Sequence, residues 1–457
     1  MSHQDVRTLP ADPEGTPPVA RWMLTLIHGS IIDQFAFRKT ACWTPRQFVT
    51  TAVLWGLGEA STLSERFAIA SQTACRLFPH SHRLGASYQA FLKLLIRWSG
   101  VIIVLLMQEC RRRMILLEGF VDSHGFVLFG VDGTRIALPR TAANEQAFAA
   151  GLNPACRRRG KRRHTARQQA EIPSVWLTMI WHLGCGLPWL WRLGKANASE
   201  RDHLRNMVST LPEHSLLVAD AGYAGYEYWK QLLEAGVHFI IRVGSGISLL
   251  QELGAWERYD DRVWLWPDYA ARRCSPPLKL RLVRIQHEKQ SVWLVTSVLS
   301  QQRLSAVAIS RIYRQRWGVE VFFRDFKQTF ARRKLQSRTP APALVELHWS
   351  LVGLTLAMLQ ARLEQQRHAQ QPVRPSVAGV LRVVRRAVRW CYHSVAEITS
   401  ALAAAVIDGY QRRTKSRRIY PRKRDYNPPG PPKLIVASTR LNTLAQNVIP
   451  LTLTSYG

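Results

Sequence analysis

Phe126-Val127-Leu128-Phe129-Gly130-Val131-Asp132-Gly133-Thr134 is the stretch on which the fold turns. A short, mostly apolar run reaches an Asp-Gly pair, which reads as a strand closed by Asp132. Before it, from Val19 to about Leu117, apolar residues recur mostly at helical spacing, with Pro45 near one helix start. After it, Val175 to His182 and Leu187 to Leu193 are apolar runs joined by Gly184-Cys185-Gly186, a hairpin pattern. Ser199 to Leu211 has a Ser start and helical composition. Ser215 to Asp220 (SLLVAD) is another apolar run ending in Asp, followed by a helical segment at Tyr226 to Glu234 and a strand at Val237 to Arg242.

Strand, long loop, hairpin, helix, strand, helix, strand is an order similar to the ribonuclease H fold, in which carboxylates gather near adjacent strand ends. Residues 244 to 300 interrupt the rhythm with Trp256, Trp264, Trp266 and Pro276-Pro277, and predict a mainly β insertion. A helix is then expected from about Ser305 to Lys327, and others near Pro342 to Gln366 and Ser376 to Ile407. The expected class is α/β, with a ribonuclease H-like core at 119–243 and 301–366 around the β insertion at 244–300. A helical N-terminal DNA-binding domain at 1–118 and a helical C-terminal region with a basic tail at 367–457 complete the division.

Charge narrows the partner. Lys and Arg total 63 against 31 Asp and Glu, a net +32, and this self-repulsion calls for a polyanion such as nucleic acid. An anionic membrane surface is the competitor. The most apolar stretch, Phe91 to Met107, is interrupted by Lys93 and Arg97, so no membrane span is expected. Cysteines at 42, 75, 110, 156, 185, 274 and 391 contain no C-x-x-C pair and read as reduced core thiols of a cytosolic protein. Charged residues are 21% and hydrophobic ones 47%, which excludes a globally disordered chain.

Phosphoryl transfer on DNA without a protein nucleophile uses two divalent metals about 4 Å apart, held by carboxylates from separate parts of the fold. In an acid-poor chain the acids at strand ends stand out: Asp132 after FGV, Asp220 after LLVA, and Glu320 in the helix after the β insertion. Each has a plainer reading. Asp132-Gly133 and Asp220-Ala221-Gly222 are also turn sequences, and a lone Glu320 is also a solvated helix residue.

The segment Tyr313-Arg314-Gln315-Arg316-Trp317-Gly318-Val319-Glu320-Val321-Phe322-Phe323-Arg324-Asp325-Phe326-Lys327 bears on that choice. On one continuous helix, Tyr313, Arg316, Glu320 and Lys327 fall within an arc of roughly 60° and span roughly 20 Å. A phenol, a guanidinium, a carboxylate and an ammonium in a row suit a DNA strand crossing the helix. The competing reading is a surface salt bridge, since Arg316 and Glu320 are an i,i+4 pair.

The spacing Y-x2-R-x3-E-x6-K resembles the signature of insertion-sequence DDE transposases of the type named after insertion sequence four. The likeness extends to Asp132-Gly133-Thr134 with Leu138-Pro139, Thr141, Asn144 and Phe148, and to Asp220-Ala221-Gly222-Tyr223 with Phe239-Ile240-Ile241-Arg242. It includes Trp293-Leu294-Val295-Thr296-Ser297 and Lys334-Leu335-Gln336-Ser337-Arg338, and so covers about 120 to 350.

The resemblance implies that Asp132, Asp220 and Glu320 are catalytic and bind two Mg²⁺ ions, with Mn²⁺ able to substitute. Water would cleave the element's end, and the resulting 3′-hydroxyl would attack target DNA. Tyr313, Arg316 and Lys327 would contact phosphates. Trp293 is the candidate to stack on a flipped base, with burial in a β core as its alternative. The partner would be double-stranded DNA, both terminal inverted repeats and target, with a dimer assembled on it, in the cytoplasm at the bacterial nucleoid. The run Arg157-Arg158-Arg159-Gly160-Lys161-Arg162-Arg163 is a candidate phosphate contact or a solvated loop. A nuclease of the same fold without strand transfer, and a catalytically silent DNA-binding protein, remain the alternatives.

Overall fold

The computed structural model describes residues 18–27, 37, 43–78, 87–149, 172–254, 261–287, 290–368, 374–407 and 430–453. The basic run from Arg157 to Arg163 lies outside the described residues. The chain divides into two compact units, Met1–Arg112 with Ala341–Ile407, and Arg113–Pro340 with Asp408–Gly457.

The first unit is helical. Thr44 and Gln47 form a capping box that starts the helix Pro45–Leu57, so the Pro45 signal marks a real helix start. Trp43, Phe48, Phe67 and Phe91 form an aromatic centre with ring centroids 5.0 to 6.4 Å apart. Gly56 allows backbone contact with the long helix Pro340–His368: a Cβ there would lie 2.3 Å from the Trp349 carbonyl oxygen. The expected single helix over Ser376 to Ile407 is two, Val377–Val388 and Val395–Ala403. Trp390 adopts a left-handed φ of 61°, which breaks the first helix, and Ser394 caps the second by accepting the Glu397 N–H.

By length and composition alone, Tyr88–Met114 and Pro340–His368 are apolar enough to cross a membrane, contrary to the expectation from interrupted runs. The charges at 93 and 97 are too few to lower the first below that threshold. In Pro340–His368, 83% of the apolar window is buried inside the protein, the pattern of a core helix.

The second unit is built on one ten-stranded sheet. Its strands are β1 (Val127–Ala137), β2 (Ser174–His182), β3 (Leu187–Gly194), β4 (Ser215–Ala219), β5 (His238–Val243), β6 (Ser248–Leu250), β7 (Arg262–Leu265), β8 (Leu278–His287), β9 (Gln290–Thr296) and β10 (Lys433–Ile435). Their order is β10-β6-β7-β8-β9-β5-β4-β1-β2-β3. β1, β4 and β5 are mutually parallel, and the β2–β3 hairpin runs antiparallel to β1. Every residue of β4 is buried, as is the first half of β1, which explains continuous apolar runs where one-sided strands would alternate. Strands from 244–300 extend the same sheet, because β9 pairs antiparallel with β5.

Two local expectations are corrected. β1 does not end at Asp132; it continues to Ala137, because β2 pairs with it along the whole length from Phe129↔His182 to Ala137↔Ser174. The expected helix Ser305 to Lys327 is divided into Ala306–Gln315 and Trp317–Lys327. At the junction the Arg316 N–H donates to the Tyr313 carbonyl and the Val319 N–H to the Arg316 carbonyl, i→i−3 bonds that tighten one turn.

Candidate active site

Strand register brings the two aspartates together. β1 and β4 pair in parallel as Val127↔Ser215, Leu128↔Leu216, Phe129↔Leu217 and Gly130↔Val218. Carried two residues further, that register sets Asp132 level with Asp220. Asp220 stands just past the end of β4, where its Oδ1 accepts the Gly222 N–H at 2.9 Å and caps the turn Ala221–Tyr223. Asp132 stays in its strand, with Oδ1 accepting the Gly133 N–H at 2.8 Å.

Alternation along β1 puts Gly130, Asp132 and Thr134 on one face. The helix Trp317–Lys327 lies along that face. A Cβ on Gly130 would be 3.2 Å from Val319 Cγ2 and 3.8 Å from the Arg316 Cα, so the bare Cα lets the helix approach. At the other end Lys327 Nζ donates to Thr134 Oγ1 at 2.5 Å. Phe322 anchors the same helix on β2, its ring 4.7 Å from that of Trp181. Glu320 therefore sits between two contacts that bracket Asp132.

The electrostatics record the same convergence. Burial pushes the Asp132 carboxyl up to about 7; the Gly133 N–H and Arg316 oppose the rise, and Glu320 and Asp220 add to it. Burial acts to lower the Arg316 pKa, but Tyr313, Glu320, Asp132 and Asp220 outweigh it. Arg316 Nη2 donates to Glu320 Oε1 at 2.9 Å, and its guanidinium lies 5.7 Å from the centre of the Tyr313 ring. Burial raises the Tyr313 phenol, opposed by Arg316 and Arg242. Lys327 is lowered by burial and by Arg333, with Asp132 opposing.

Among the described residues no group of three or more His, Cys, Asp or Glu side chains is arranged to hold a metal ion. The donor chemistry nonetheless fits a divalent cation. Glu320 and Asp220 both act on the buried Asp132 carboxyl, and carboxylate oxygens are the donors that hard divalent cations take.

Trp293 stands on β9, partly exposed. The Arg284 guanidinium lies 5.6 Å from its ring centre, and its cross-strand partner on β5 is Val243. Two further residues belong beside the acids. Arg242, near the end of β5, influences Tyr313, and Asp220 and Tyr223 influence Glu200. The signal for Glu200 was its acidity in an acid-poor chain, masked by its place behind Ser199, where an acid reads as ordinary helix-start chemistry.

The family described as Transposase DDE domain matches residues 124–356, a span that holds all three acids and the helix signature. Transposase InsG for insertion sequence element IS4 of Escherichia coli (strain K12) is 25% identical over 254 residues, 54% of this chain and 54% of its own. Protein y4zB of Sinorhizobium fredii (strain NBRC 101917 / NGR234) is 22% identical over 207 residues, 44% of this chain and 57% of its own. The chain thus spans little more than half the length of these curated relatives. Among solved structures, a piggyBac transposase synaptic complex with hairpin DNA overlays with a TM-score of 0.41 at 10% identity, covering 84% of this chain and 81% of that one. With the domain match spanning 233 of its 457 residues, this chain belongs to the DDE transposase domain family and resembles the insertion sequence four members within it.

Proposed function

We propose that this protein is a DNA transposase that cleaves the ends of a mobile element and joins them to target DNA. The observation that carries the reading is that the helix bearing Glu320 and Lys327 lies along the face of β1 that carries Asp132, where Glu320 and Asp220 both act on that carboxyl. The β3-β2-β1-β4-β5 part of the sheet, a hairpin beside three parallel strands, supports a ribonuclease H-like core interrupted by the 244–300 insertion. Helical segments before and after that core would serve DNA binding, and the net charge of +32 supports duplex DNA as partner.

In this reading Asp132, Asp220 and Glu320 would hold two divalent cations, Mg²⁺ or Mn²⁺. When bound, these lower the pKa of the attacking oxygen and neutralise charge on the phosphoryl group. Arg316 exchanges Glu320 for a DNA phosphate, which turns the carboxylate toward the aspartates. Lys327, fixed on Thr134, holds the next phosphate along the strand, and Tyr313 orients Arg316. Water then adds to a phosphodiester at the element's end and releases a 3′-hydroxyl. That hydroxyl attacks a target phosphodiester and displaces its 3′-oxygen. Two ends joined together call for two copies of the chain on DNA, acting at the nucleoid.

The test uses purified full-length protein, Mg²⁺ and a labelled duplex carrying the DNA that borders the coding region. Nicked and joined products support the transposase. Nicking alone overturns strand transfer, and a mobility shift alone overturns catalysis.

A further inference from the structure

Glu200 opens the short helix Glu200–Arg205, behind Ser199, whose hydroxyl accepts the Asp202 N–H. Its carboxylate is turned elsewhere. A Cβ on Gly133 would stand 2.6 Å from Glu200 Oε1 and 2.8 Å from Trp176 Nε1, so both groups press on the bare Cα that follows Asp132. Gly133 faces the opposite side of β1 from Asp132. Glu200 therefore approaches the acids from the face that the Glu320 helix leaves uncovered.

Around it are polar atoms in need of a partner. Trp176 Nε1 and Tyr223 Oη are buried without an aligned hydrogen bond among the described residues. Tyr223 has no exposed surface, and its phenol lies close enough to Glu200 that each shifts the other's proton affinity. Tyr223 ends the turn that Asp220 caps. The neighbouring Arg201 grips the same turn, its Nε donating to the Gly222 carbonyl at 2.7 Å, while the Gly222 N–H donates to Asp220 Oδ1 at 2.9 Å. A carboxylate has four lone-pair sites, enough to accept from an indole and a phenol at once.

We propose that Glu200 is a positioning residue: its carboxylate offers an acceptor to the Trp176 N–H and the Tyr223 hydroxyl, and so sets where Asp132 and Asp220 stand. The carboxylate so placed ties β2 and β1 to the turn after β4. It rests on the reading of Asp132, Asp220 and Glu320 as the ion-holding acids. Glu200 itself touches neither DNA nor ion; it acts through the backbone at Gly133 and through the turn at Asp220–Tyr223.

The experiment compares full-length wild type with Asp132→Asn, Glu200→Ala and Glu200→Gln. Mn²⁺ binding is followed by loss of the free-ion paramagnetic resonance signal, and nicking of the bordering DNA is measured as kcat and KM. Glu200→Ala should weaken Mn²⁺ binding and kcat by about 10- to 100-fold, as loss of a residue that orients metal ligands does, with KM for DNA unchanged. Glu200→Gln keeps a carbonyl acceptor and should restore most of both. Glu200→Ala matching wild type overturns the proposal. So does Glu200→Gln failing as badly as Glu200→Ala, which would make the negative charge itself essential. Failure of the underlying reading looks different: Asp132→Asn would then bind Mn²⁺ and treat DNA as wild type does, and the proposal about Glu200 would fall with it.

Discussion

Asp132, within β1, and Asp220, just past the end of β4, each lie two residues beyond the last paired position of these parallel strands, Gly130↔Val218, although 88 residues separate them. Neither needs a turn of its own to reach the other. The pairing of β1 with β4 carries both aspartates to one region of the sheet, and the helix lying along β1 brings Glu320 close to Asp132.

Lys327 and Arg316 flank that centre, and the proposed phosphate contacts give them measurable roles. Lys327→Ala should weaken duplex binding about equally for any sequence and reduce the slope of log affinity against log salt by about one. Arg316→Ala should do the same and also abolish nicking, since the phosphate beside Glu320 loses the guanidinium that holds it. Filter binding or fluorescence anisotropy across a salt series reads the slope. A slope unchanged in Lys327→Ala would remove that residue from the DNA contact.

The second unit should be acid-labile. Burial holds His182 and His238 down to about 4, below the ordinary value of 6.5. Both folded-state values are depressed, so as pH falls below 6.5 the unfolded chain takes up protons that the folded one refuses. Stability is full above that pH and declines from there toward 4, by roughly 2 kcal/mol per histidine at pH 5. Urea midpoints at pH 7.5 and pH 5 measure the effect, and His238→Asn should make the pH dependence shallower. Equal slopes in variant and wild type would count against His238.

In the helical unit Gly56 has a specific duty. Gly56→Ala would set a methyl against the Trp349 carbonyl oxygen, at 2.3 Å before relaxation, and should cost about 1–3 kcal/mol of stability. Thermal unfolding reads it, and a melting temperature equal to wild type would mean that the helices separate freely there.

The elements that carry the acids were legible in the sequence because buried strands announce themselves as unbroken apolar runs, as SLLVA and FVLFGV do. Their limits were less so. Asp132-Gly133 carries a turn signal, yet here the glycine admits Glu200 and Trp176 to the strand's back face while pairing with β2 continues. The helical face drawn through Tyr313 and Lys327 assumed one uniform helix. The tight turn at Arg316 divides that helix in two while leaving Arg316 against both Tyr313 and Glu320. Glu200 was hidden for another reason: its partners come from β1, β2 and the Asp220 turn, and that closeness is tertiary, with no local pattern to disclose it.

Convergence of three distant segments on bound cations can be read from the polypeptide itself. Full-length protein is loaded with Fe²⁺ in place of Mg²⁺, treated with ascorbate and peroxide, and its backbone cuts are mapped. Cuts clustered near residues 132, 220 and 320, suppressed by excess Mg²⁺ and missing in Asp132→Asn, are the expected result. Cuts confined elsewhere, or unchanged in that variant, would contradict a shared metal centre.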